Sequence, residues 1–411
     1  MNGSVHTIRP NRLRLAGRTL VALLVAAAIW LPCLHLFFRP NLSNYVAREG
    51  IAPATRRLAA RQIELWTRPD LRDREIARMR RSNAEWDFMG RTYLVMALAN
   101  MGLREPAHQS VYLGVIDAII AETLRLEKEN GIYYFLMDYA RAGLFVAKPP
   151  RSLFQDGEIA LMLASRRMLR ESDTCRRELA NRVEVMLKQM PQSPVLCGES
   201  YPDECWIFCN TVALAAIRMS DALDGTDRST FVDRWLATAR QRLVHPDTGL
   251  LVSSFAFDGT WMDGPEGSSI WMAAHCLQIV DPPFAVDQYR RARSELGRST
   301  LGFGYAHEWP ASWRGVMDVD SGPVIPILDI SAGASGLAIL GAAAFDDREY
   351  LARLLASLRF GGFPIEDNGT LRFAAGNEVG DAVLLYALVQ GPLWQEVRRR
   401  LNDAARRETP P

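Results

Sequence analysis

The sequence predicts an all-α fold, namely an (α/α)6 toroid preceded by one N-terminal transmembrane helix. The chain has 411 residues, 48% of them hydrophobic, which is enough to bury a large core. From about residue 84 onward, apolar residues recur at helical spacing, and few runs alternate as a strand does. The links between the predicted helices also alternate between short and long, which indicates a ring of helical hairpins.

Twelve helices are predicted after residue 84, and they form six consecutive pairs. Each is an apolar stretch with helical periodicity, bounded by turn-forming residues. The predicted ranges are 84–102, 108–127, 152–171, 173–190, 205–224, 228–243, 268–279, 286–298, 332–345, 347–357, 378–389 and 392–405.

The links within a pair are short and turn-like, whereas the links between pairs are long and rich in glycine, proline, aromatic and acidic residues. In an (α/α)6 toroid, the short turns lie at one end and the long loops build the site at the other. An irregular α-solenoid is the alternative. The long links are 128–151, 191–204, 244–267, 299–331 and 358–377.

The N-terminal region predicts a membrane anchor. Residues 1–18 form a basic tail with four arginines and no acid, and residues 19–38 carry no formal charge. An apolar run of this length can cross a bilayer. A cleaved signal peptide, processed at 26–28, is the alternative, but the apolar run continues beyond those residues, which favours a signal anchor. The arginine excess before the segment favours a single pass through the inner membrane, with the C-terminal domain in the periplasm.

Residues 39–83 are charged and weakly amphipathic, so a helical stalk or cap is predicted there, followed by an (α/α)6 catalytic domain over 84–411. The formal charge is +1 and the basic residues are scattered, which leaves no basic stripe for nucleic acid. An extracytoplasmic location permits disulfides among the cysteines after residue 38. These are Cys175, Cys197, Cys205, Cys209 and Cys276.

Carboxylates and aromatic rings are concentrated in the long links and in the first turns of the helices that follow them. An acidic, aromatic cleft suits general acid–base chemistry on a neutral hydroxylated substrate. For any single acid, helix capping is the plainer explanation, and Asp203, Glu204 and Glu266 stand where a first-turn acid belongs. Capping explains the whole collection less well.

Several common functional motifs are absent from the sequence. It has no phosphate-binding glycine motif and no nucleophile elbow, which argues against nucleotide and common esterase chemistry. The histidines form no closely spaced pair, and Cys205 with Cys209 lacks a second pair nearby. Neither a metal nor a cofactor is therefore predicted.

The segment SYPDECWIFCN, residues 200–210, resembles the signature region of the linalool dehydratase/isomerase family, whose members are (α/α)6 enzymes. In that family, a cysteine-x-proline-aspartate segment leads to a second cysteine followed by asparagine. Ser200 stands where the first cysteine is expected. The residues that match the pattern are Pro202, Asp203, Cys209 and Asn210.

The resemblance implies which residues carry the chemistry. The family uses an aspartate with a tyrosine six residues on, and Asp87 with Tyr93 fits that spacing. Glu158 takes the place of a family histidine, and Tyr112 falls where another site tyrosine is expected. By this resemblance, Asp87 and Glu158 carry protons, Tyr93 forms hydrogen bonds and Cys209 is a second proton donor. Glu158 can serve as an acid only if burial raises its pKa.

The resemblance favours a membrane-anchored lyase or isomerase of the hydro-lyase type, which dehydrates, hydrates or isomerises a small isoprenoid alcohol. One alternative is a carbohydrate-active (α/α)6 enzyme, a hydrolase, lyase or epimerase with paired carboxylates and a sugar substrate. A further alternative is a non-catalytic envelope scaffold. A closed apolar pocket would favour the alcohol enzyme, an open acidic groove the carbohydrate enzyme, and a plugged centre the scaffold. The sequence is compatible with a homo-oligomer.

The substrate-binding residues are predicted from the long-loop rim and from the resemblance. They are Tyr112, Ser200, Tyr201, Asp203, Trp261, His307, Trp309 and Asp320.

The cysteine-rich segment 197–210 is predicted to be part of this catalytic rim. Cys205 and Cys209 are expected one turn apart on helix 205–224, where a disulfide between them would be strained. The free amides at the start of that helix are expected to lower the pKa of Cys209 and make it reactive. A disulfide between Cys197 and Cys205 is the competing explanation.

Overall fold

A computed structural model of the chain describes residues 12–315, 317 and 321–408. Most of these residues are helical. The helices are α1 (Arg12–Phe38), α2 (Pro53–Thr67), α3 (Pro69–Ser82), α4 (Ala84–Arg104), α5 (Gln109–Asn130), α6 (Leu153–Leu169), α7 (Asp173–Gln189), α8 (Ile207–Asp224), α9 (Ser229–Arg242), α10 (Gly267–Leu277), α11 (Pro282–Glu295), α12 (Ala332–Ala344), α13 (Arg348–Gly361), α14 (Glu378–Val389) and α15 (Pro392–Glu408).

The strands are short and lie in the long links. They form an antiparallel pair β1–β2, a sheet in the order β3-β4-β6-β5, and the hairpin β7–β8. Their bounds are β1 (Cys205–Trp206), β2 (Ser254–Phe255), β3 (Gly297–Thr300), β4 (Phe303–Ala306), β5 (Val324–Ile325), β6 (Ile330–Ser331), β7 (Pro364–Asp367) and β8 (Thr370–Phe373).

Six helices close into a ring, which confirms the predicted (α/α)6 toroid. The ring consists of α4 and the five helices that follow the long links, α6, α8, α10, α12 and α14. Each of them contacts the next, and α14 contacts α4. These helices carry few exposed side chains because they have neighbours on every side. In α8, for example, the residues from Ile207 to Ile217 are all buried. A helix that is apolar around its whole circumference is stable only in such an enclosed position.

The long links meet at the N-terminal ends of the ring helices, as predicted. The backbone N–H of Leu153 donates to the carbonyl of Glu199, and that of Gly267 donates to the carbonyl of Glu308. Strands β1 and β2 tie the link before α8 to the link before α10. The links before α8, α10 and α12 therefore form one hydrogen-bonded cover over this end of the ring, which we call the long-loop end.

The outer layer includes α5, α7, α11 and α13, each packed against a ring helix or against the strand that follows it. The segment 39–83, predicted as a stalk or cap, also packs here: α2 contacts α14 and α5, and α3 contacts α4. Leu58 and Leu65 on α2 are buried in the same core as the ring. Because α2 and α3 cover the side of α4 and α14, they occupy an outer position of the toroid.

The last helix does not take the outer position predicted for it. Helix α15 contacts α4, α6 and α8 instead of lying outside α14. Trp394 stacks on His275 of α10, with ring centroids 5.1 Å apart, and its indole N–H donates to the His275 carbonyl at 3.0 Å. The backbone N–H of Leu393 donates to Asn100 of α4 at 3.0 Å. Since it touches opposite sides of the ring and keeps one face exposed, α15 lies across the end that carries the short turns and closes it.

Helix α1 confirms the predicted apolar helix and extends it at the N-terminal side. It is long and apolar enough to cross a membrane, and the apolar stretch is exposed along its length. Only its last turn touches the toroid, where Phe38 packs against Phe303 and Phe360. Residues 1–11 of the predicted basic tail lie outside the described residues.

The packing of α15 against the short-turn end of the ring predicts a large stability effect for Trp394→Ala. This side chain is 1% exposed, so the substitution should lower the free energy of unfolding by about 3 to 5 kcal/mol through the cavity it leaves. Asn402→Ala, at an exposed position of the same helix, is the matched control and should change it by less than about 0.5 kcal/mol. Thermal exposure of the buried cysteines to a thiol-reactive dye in detergent measures both effects. Equal small effects would contradict the packing of α15 against the ring through Trp394.

Candidate functional site

Glu158 lies on the interior side of ring helix α6 and is 2% exposed. The hydroxyl of Thr92, on the neighbouring helix α4, donates to its Oε2 at 2.5 Å. Burial raises the pKa of Glu158 to about 8; the bond from Thr92 opposes this shift and the nearby charge of Glu85 adds to it. At neutral pH, Glu158 is therefore mostly a neutral carboxylic acid that can donate a proton.

The neighbouring Asp156 shows why Glu158 faces inward. Two residues along a helix differ by about 200° in direction, so the two side chains leave α6 on opposite sides. Asp156 points outward and is paired with Arg151 and with Arg182 of α7, the latter at 2.8 Å. Glu158 has no such cation, which explains how one helix carries a paired acid and an isolated acid two residues apart.

Three further polar groups surround Glu158, and we call this set the acid cluster: Glu158, Tyr93, Cys209 and Cys276. Burial raises the pKa of Tyr93, Cys209 and Cys276. The nearby charge of Glu158 contributes to each of these shifts, and other groups contribute to those of Tyr93 and Cys209. The Tyr93 hydroxyl is buried and has no hydrogen-bonding partner among the described residues. A buried hydroxyl without a partner is costly, and this one is available to a bound polar group.

Cys209 lies in this cluster, but its electrostatics differ from the prediction. Helix α8 begins at Ile207, and Cys205 lies in β1 opposite Phe255, so the two cysteines do not share a helical face. Burial raises the pKa of Cys209 well above its usual value, although a hydrogen bond with Ser200 opposes this. The expected lowering by helix amides is wrong because desolvation dominates. Cys209 is thus a neutral thiol that can donate a hydrogen bond, and not a thiolate.

All six cysteines of the chain are described, and each has a free sulfur. The competing disulfide between Cys197 and Cys205 is therefore not formed. The Cys197 thiol donates to the Val195 carbonyl at 3.4 Å. Burial raises the pKa of Cys197 to about 12.

Tyr201 and Glu85 form the layer above the acid cluster. The Tyr201 hydroxyl donates to the Glu85 carboxylate and accepts a hydrogen bond from the Met137 backbone N–H at 3.0 Å. The ring of Tyr201 stacks on that of Tyr139, with centroids 4.8 Å apart. The hydroxyl of Tyr139 reaches Glu204, whose pKa is raised chiefly by burial. These side chains cover the acid cluster on the side of the long-loop end.

Sequence reasoning missed Glu85 and selected Asp87 instead. Asp87 leaves α4 on the outer side, where Arg91 binds it at 2.8 Å and Arg80 at 3.2 Å. The structure therefore does not bring Asp87 together with Glu158. A signal was present in the sequence: Asp87 and Arg91 are four residues apart, the spacing of a helical ion pair, whereas Glu85 and Thr92 are seven apart and share a face.

Tyr112 is also separated from the acid cluster. It lies in the first turn of α5, beside the short link from α4, and its hydroxyl donates to Glu105 at 3.1 Å. Glu105 in turn pairs with Arg56 of α2. Burial and the nearby Glu105 raise the pKa of Tyr112 to about 12. This tyrosine is at the short-turn end of the hairpin, away from the long-loop end.

Ser200 and Asp203 shape the turn before α8. The Ser200 hydroxyl is fully buried and accepts a hydrogen bond from the Trp206 backbone N–H at 3.3 Å. Asp203 is exposed, has a φ of 57°, and accepts from the Phe257 backbone N–H at 3.1 Å. Ser200 thus lies beside Cys209, whereas Asp203 holds the long link before α10 in place.

The remaining predicted substrate-binding residues lie on other long links. The indole N–H of Trp261 donates to the Arg242 carbonyl at 2.9 Å, and the ring is 38% exposed. His307 is half-buried, and burial lowers its pKa. The Trp309 indole nitrogen is buried without a partner among the described residues. Asp320 lies outside the described residues.

Below the acid cluster, His275 and Tyr386 connect it to α15. The imidazole Nε2 lies 2.6 Å from the Tyr386 hydroxyl, and the Tyr386 ring centroid is 5.9 Å from that of Tyr93. Burial, with a smaller contribution from Arg398, lowers the pKa of His275 to about 3. The imidazole is therefore neutral and forms a polar floor that rests on Trp394.

Among the described residues, no group of three or more histidine, cysteine or acidic side chains could hold a metal ion.

The comparison with solved structures defines the class of fold. The GH76A alpha-1,6-mannanase from Salegentibacter sp. HEL1_6 aligns with a TM-score of 0.51 at 10% identity, over 82% of this chain and 98% of that chain. An inactive variant of that mannanase, in complex with alpha-1,6-mannotetrose, gives 0.51 at 12% identity, with the same coverage. At this identity the likeness shows a common toroid fold.

The comparison with protein families gives a narrower result. The linalool dehydratase/isomerase family model matches residues 175–379. This match confirms the family-level resemblance inferred from the segment that contains Cys209, which lies within the matched region. No curated protein matches the chain.

The raised pKa of Glu158 predicts a stability that depends on pH. Because the folded carboxyl has a pKa of about 8 against a usual 4.5, its contribution is fully present below pH 4.5 and is lost as the pH rises through 8. Glu158→Gln should remove this loss, so wild type should lose roughly 5 °C more in melting temperature than the variant between pH 5 and pH 8. Glu129→Gln, at an exposed position, is the control. If the melting temperature changed equally with pH in all three proteins, the raised pKa of Glu158 would be contradicted.

The raised pKa of Cys209 predicts slow reaction with thiol reagents. In a Cys33→Ser background at pH 7.5, alkylation of Cys209 in the folded protein should be at least about a hundredfold slower than in urea, because the thiolate is scarce and buried. Peptide mass spectrometry over time measures the rate at this site. Rapid alkylation of Cys209 in the folded protein would contradict the raised pKa and support the reactive thiol predicted from the sequence.

Proposed function

We propose that the chain is a linalool dehydratase/isomerase-like enzyme that dehydrates, hydrates or isomerises a small isoprenoid alcohol. The observation that carries this proposal is Glu158, a buried acid that is neutral at physiological pH and lies beside the Cys209 thiol and the unpartnered Tyr93 hydroxyl. The family match supports the same class of chemistry.

The acid cluster contains the groups that a dehydration requires. Glu158 donates its proton to the substrate hydroxyl as the C–O bond breaks, which releases water and leaves an allylic cation. The Glu158 carboxylate then removes a proton from the adjacent carbon, which forms the alkene and restores the acid. Addition of water at the other end of the cation, with transfer of one water proton to the Glu158 carboxylate, gives the isomeric alcohol. The reverse of the dehydration sequence is hydration.

The aromatic side chains around Glu158 suit a cationic intermediate. The ring faces of Tyr93 and Tyr386 attract positive charge, and the new Glu158 carboxylate is a counter-ion. The Tyr93 hydroxyl and the Cys209 thiol are available as hydrogen-bond donors to the departing water. Tyr201, held by Glu85, excludes bulk water from above.

The carbohydrate alternative receives less support from the site. The indole N–H of Trp206 is engaged by Glu204, and that of Trp261 by a backbone carbonyl. Glu158 is covered by aromatic side chains, whereas a polysaccharide needs an open groove. The scaffold alternative does not account for the unpartnered Tyr93 hydroxyl, which suits a ligand.

The proposal includes a membrane anchor. Helix α1 is an exposed apolar helix that follows a basic tail, which suits a single pass through the inner membrane with the toroid on the periplasmic side. Substrate alcohols of isoprenoid type partition into the bilayer, so an anchored enzyme meets them at high local concentration.

Glu158→Gln should abolish turnover of isoprenoid alcohols if Glu158 is the proton donor. Loss of a general acid costs about 10² to 10⁴ in rate, and the amide cannot replace it. The measurement is gas chromatography of alkene and alcohol products after incubation with a panel of acyclic isoprenoid alcohols. A parallel oligosaccharide panel tests the alternative.

Tyr112→Phe is the matched control, because Tyr112 lies at the short-turn end and should retain wild-type turnover. The turnover of Cys209→Ser should lie between that of Glu158→Gln and that of Tyr112→Phe. Full turnover by Glu158→Gln, or products from sugars alone, would overturn the proposed reaction.

A further inference from the structure

The end of α1 is surrounded by large apolar side chains that face solvent. Leu301 is 47% exposed, Phe360 47% and Phe363 63%. We call these three residues the docking patch. Leu301 lies at the tip of the β3–β4 hairpin, and Phe360 and Phe363 lie where α13 ends. Clustered exposure of this kind marks a surface that meets an apolar partner.

The turn that carries Leu301 is unusual for a turn in water. Pairing of Thr300 with Phe303 leaves Leu301 and Gly302 as a two-residue turn, with φ values of 50° and 84°. Such turns favour asparagine before glycine because the first residue must adopt a left-handed conformation. The β7–β8 hairpin has that sequence, Asn368–Gly369, with φ values of 47° and 79°. A leucine in the equivalent place presents an apolar side chain at a conformational cost.

The tip of the β3–β4 hairpin touches α1 itself. A Cβ on Gly302 would lie 2.3 Å from the His35 ring, and Phe303 packs against both His35 and Phe38 at 6.3 Å between centroids. His35 precedes the end of the helix by three residues, or about 4.5 Å. If residues 19–38 cross the bilayer, the tip therefore lies at the level of the boundary between acyl chains and headgroups.

Two arginines lie beside the patch, where α1 ends. Arg359 donates to the Phe38 carbonyl at 3.0 Å, and Arg39 follows the helix and is exposed. Arginine beside an apolar surface is the composition that binds anionic lipid headgroups.

We infer that the docking patch inserts into the surface of an anionic bilayer and holds the long-loop end of the toroid against the membrane. This inference rests on the proposed anchoring by α1 and adds a second contact to it. Both parts of the patch belong to long links, 299–331 and 358–377, so the end of the ring that covers Glu158 would face the lipid. A membrane-dissolved alcohol could then reach the site without crossing water.

The test uses the full-length chain in vesicles of phosphatidylcholine and phosphatidylglycerol, in a Cys33→Ser background. An environment-sensitive fluorophore is attached at Phe363→Cys, and at Val111→Cys as the matched control, an exposed apolar position at the short-turn end. Lipids brominated in the acyl chain should quench the label at position 363 about twofold and leave the label at position 111 unchanged. Leu301→Asn, which supplies the preferred turn residue and preserves folding, should weaken the quenching at position 363.

Flotation of the same samples with the vesicles distinguishes anchoring by α1 from insertion of the docking patch. Flotation without quenching at position 363 would overturn docking while anchoring by α1 stands. Absence of flotation would overturn anchoring and docking together. Equal quenching at both positions would indicate adsorption without orientation and would also overturn the docking patch.

Discussion

The closure of six helices into a ring is the constraint on which the rest of the structure depends. Each ring helix is covered on all sides, so every polar side chain that points inward must be neutral, paired or bound to a ligand. Thr92, Glu158 and Cys209 are the groups that the ring encloses at this depth. Their burial, more than any single neighbour, sets the pKa of Glu158 and Cys209 and therefore the chemistry open to them.

The acids of the ring helices are of two kinds: those that pair with arginine and those that do not. Asp87 and Asp156 face the outer layer, where arginines from α3, α4 and α7 pair with them. Glu158 faces the interior, where no arginine reaches it among the described contacts. The outer acids stabilise contacts between the layers, whereas the inner acid retains its proton. Two kinds of carboxyl group thus arise on the same helices from the direction in which each side chain points.

Different elements close the two ends of the ring. Helix α15 closes the short-turn end and supports His275 and Tyr386 through Trp394. Tyr201 and its partners cover the long-loop end, which is also where α1 joins the toroid. Access to Glu158 therefore depends on the long links, and in the proposed arrangement these links also meet the membrane.

The sequence by itself determined the helix positions, the alternation of short and long links and the apolar N-terminal helix, because these follow from local periodicity and composition. It also indicated the family resemblance and the importance of Glu158. Only the tertiary structure decided that α15 closes the short-turn end of the ring, that Glu85 and not Asp87 faces the cluster, and that burial outweighs the helix amides at Cys209. These features depend on which face of a helix is covered and by what, and that information is not local to any segment of the chain.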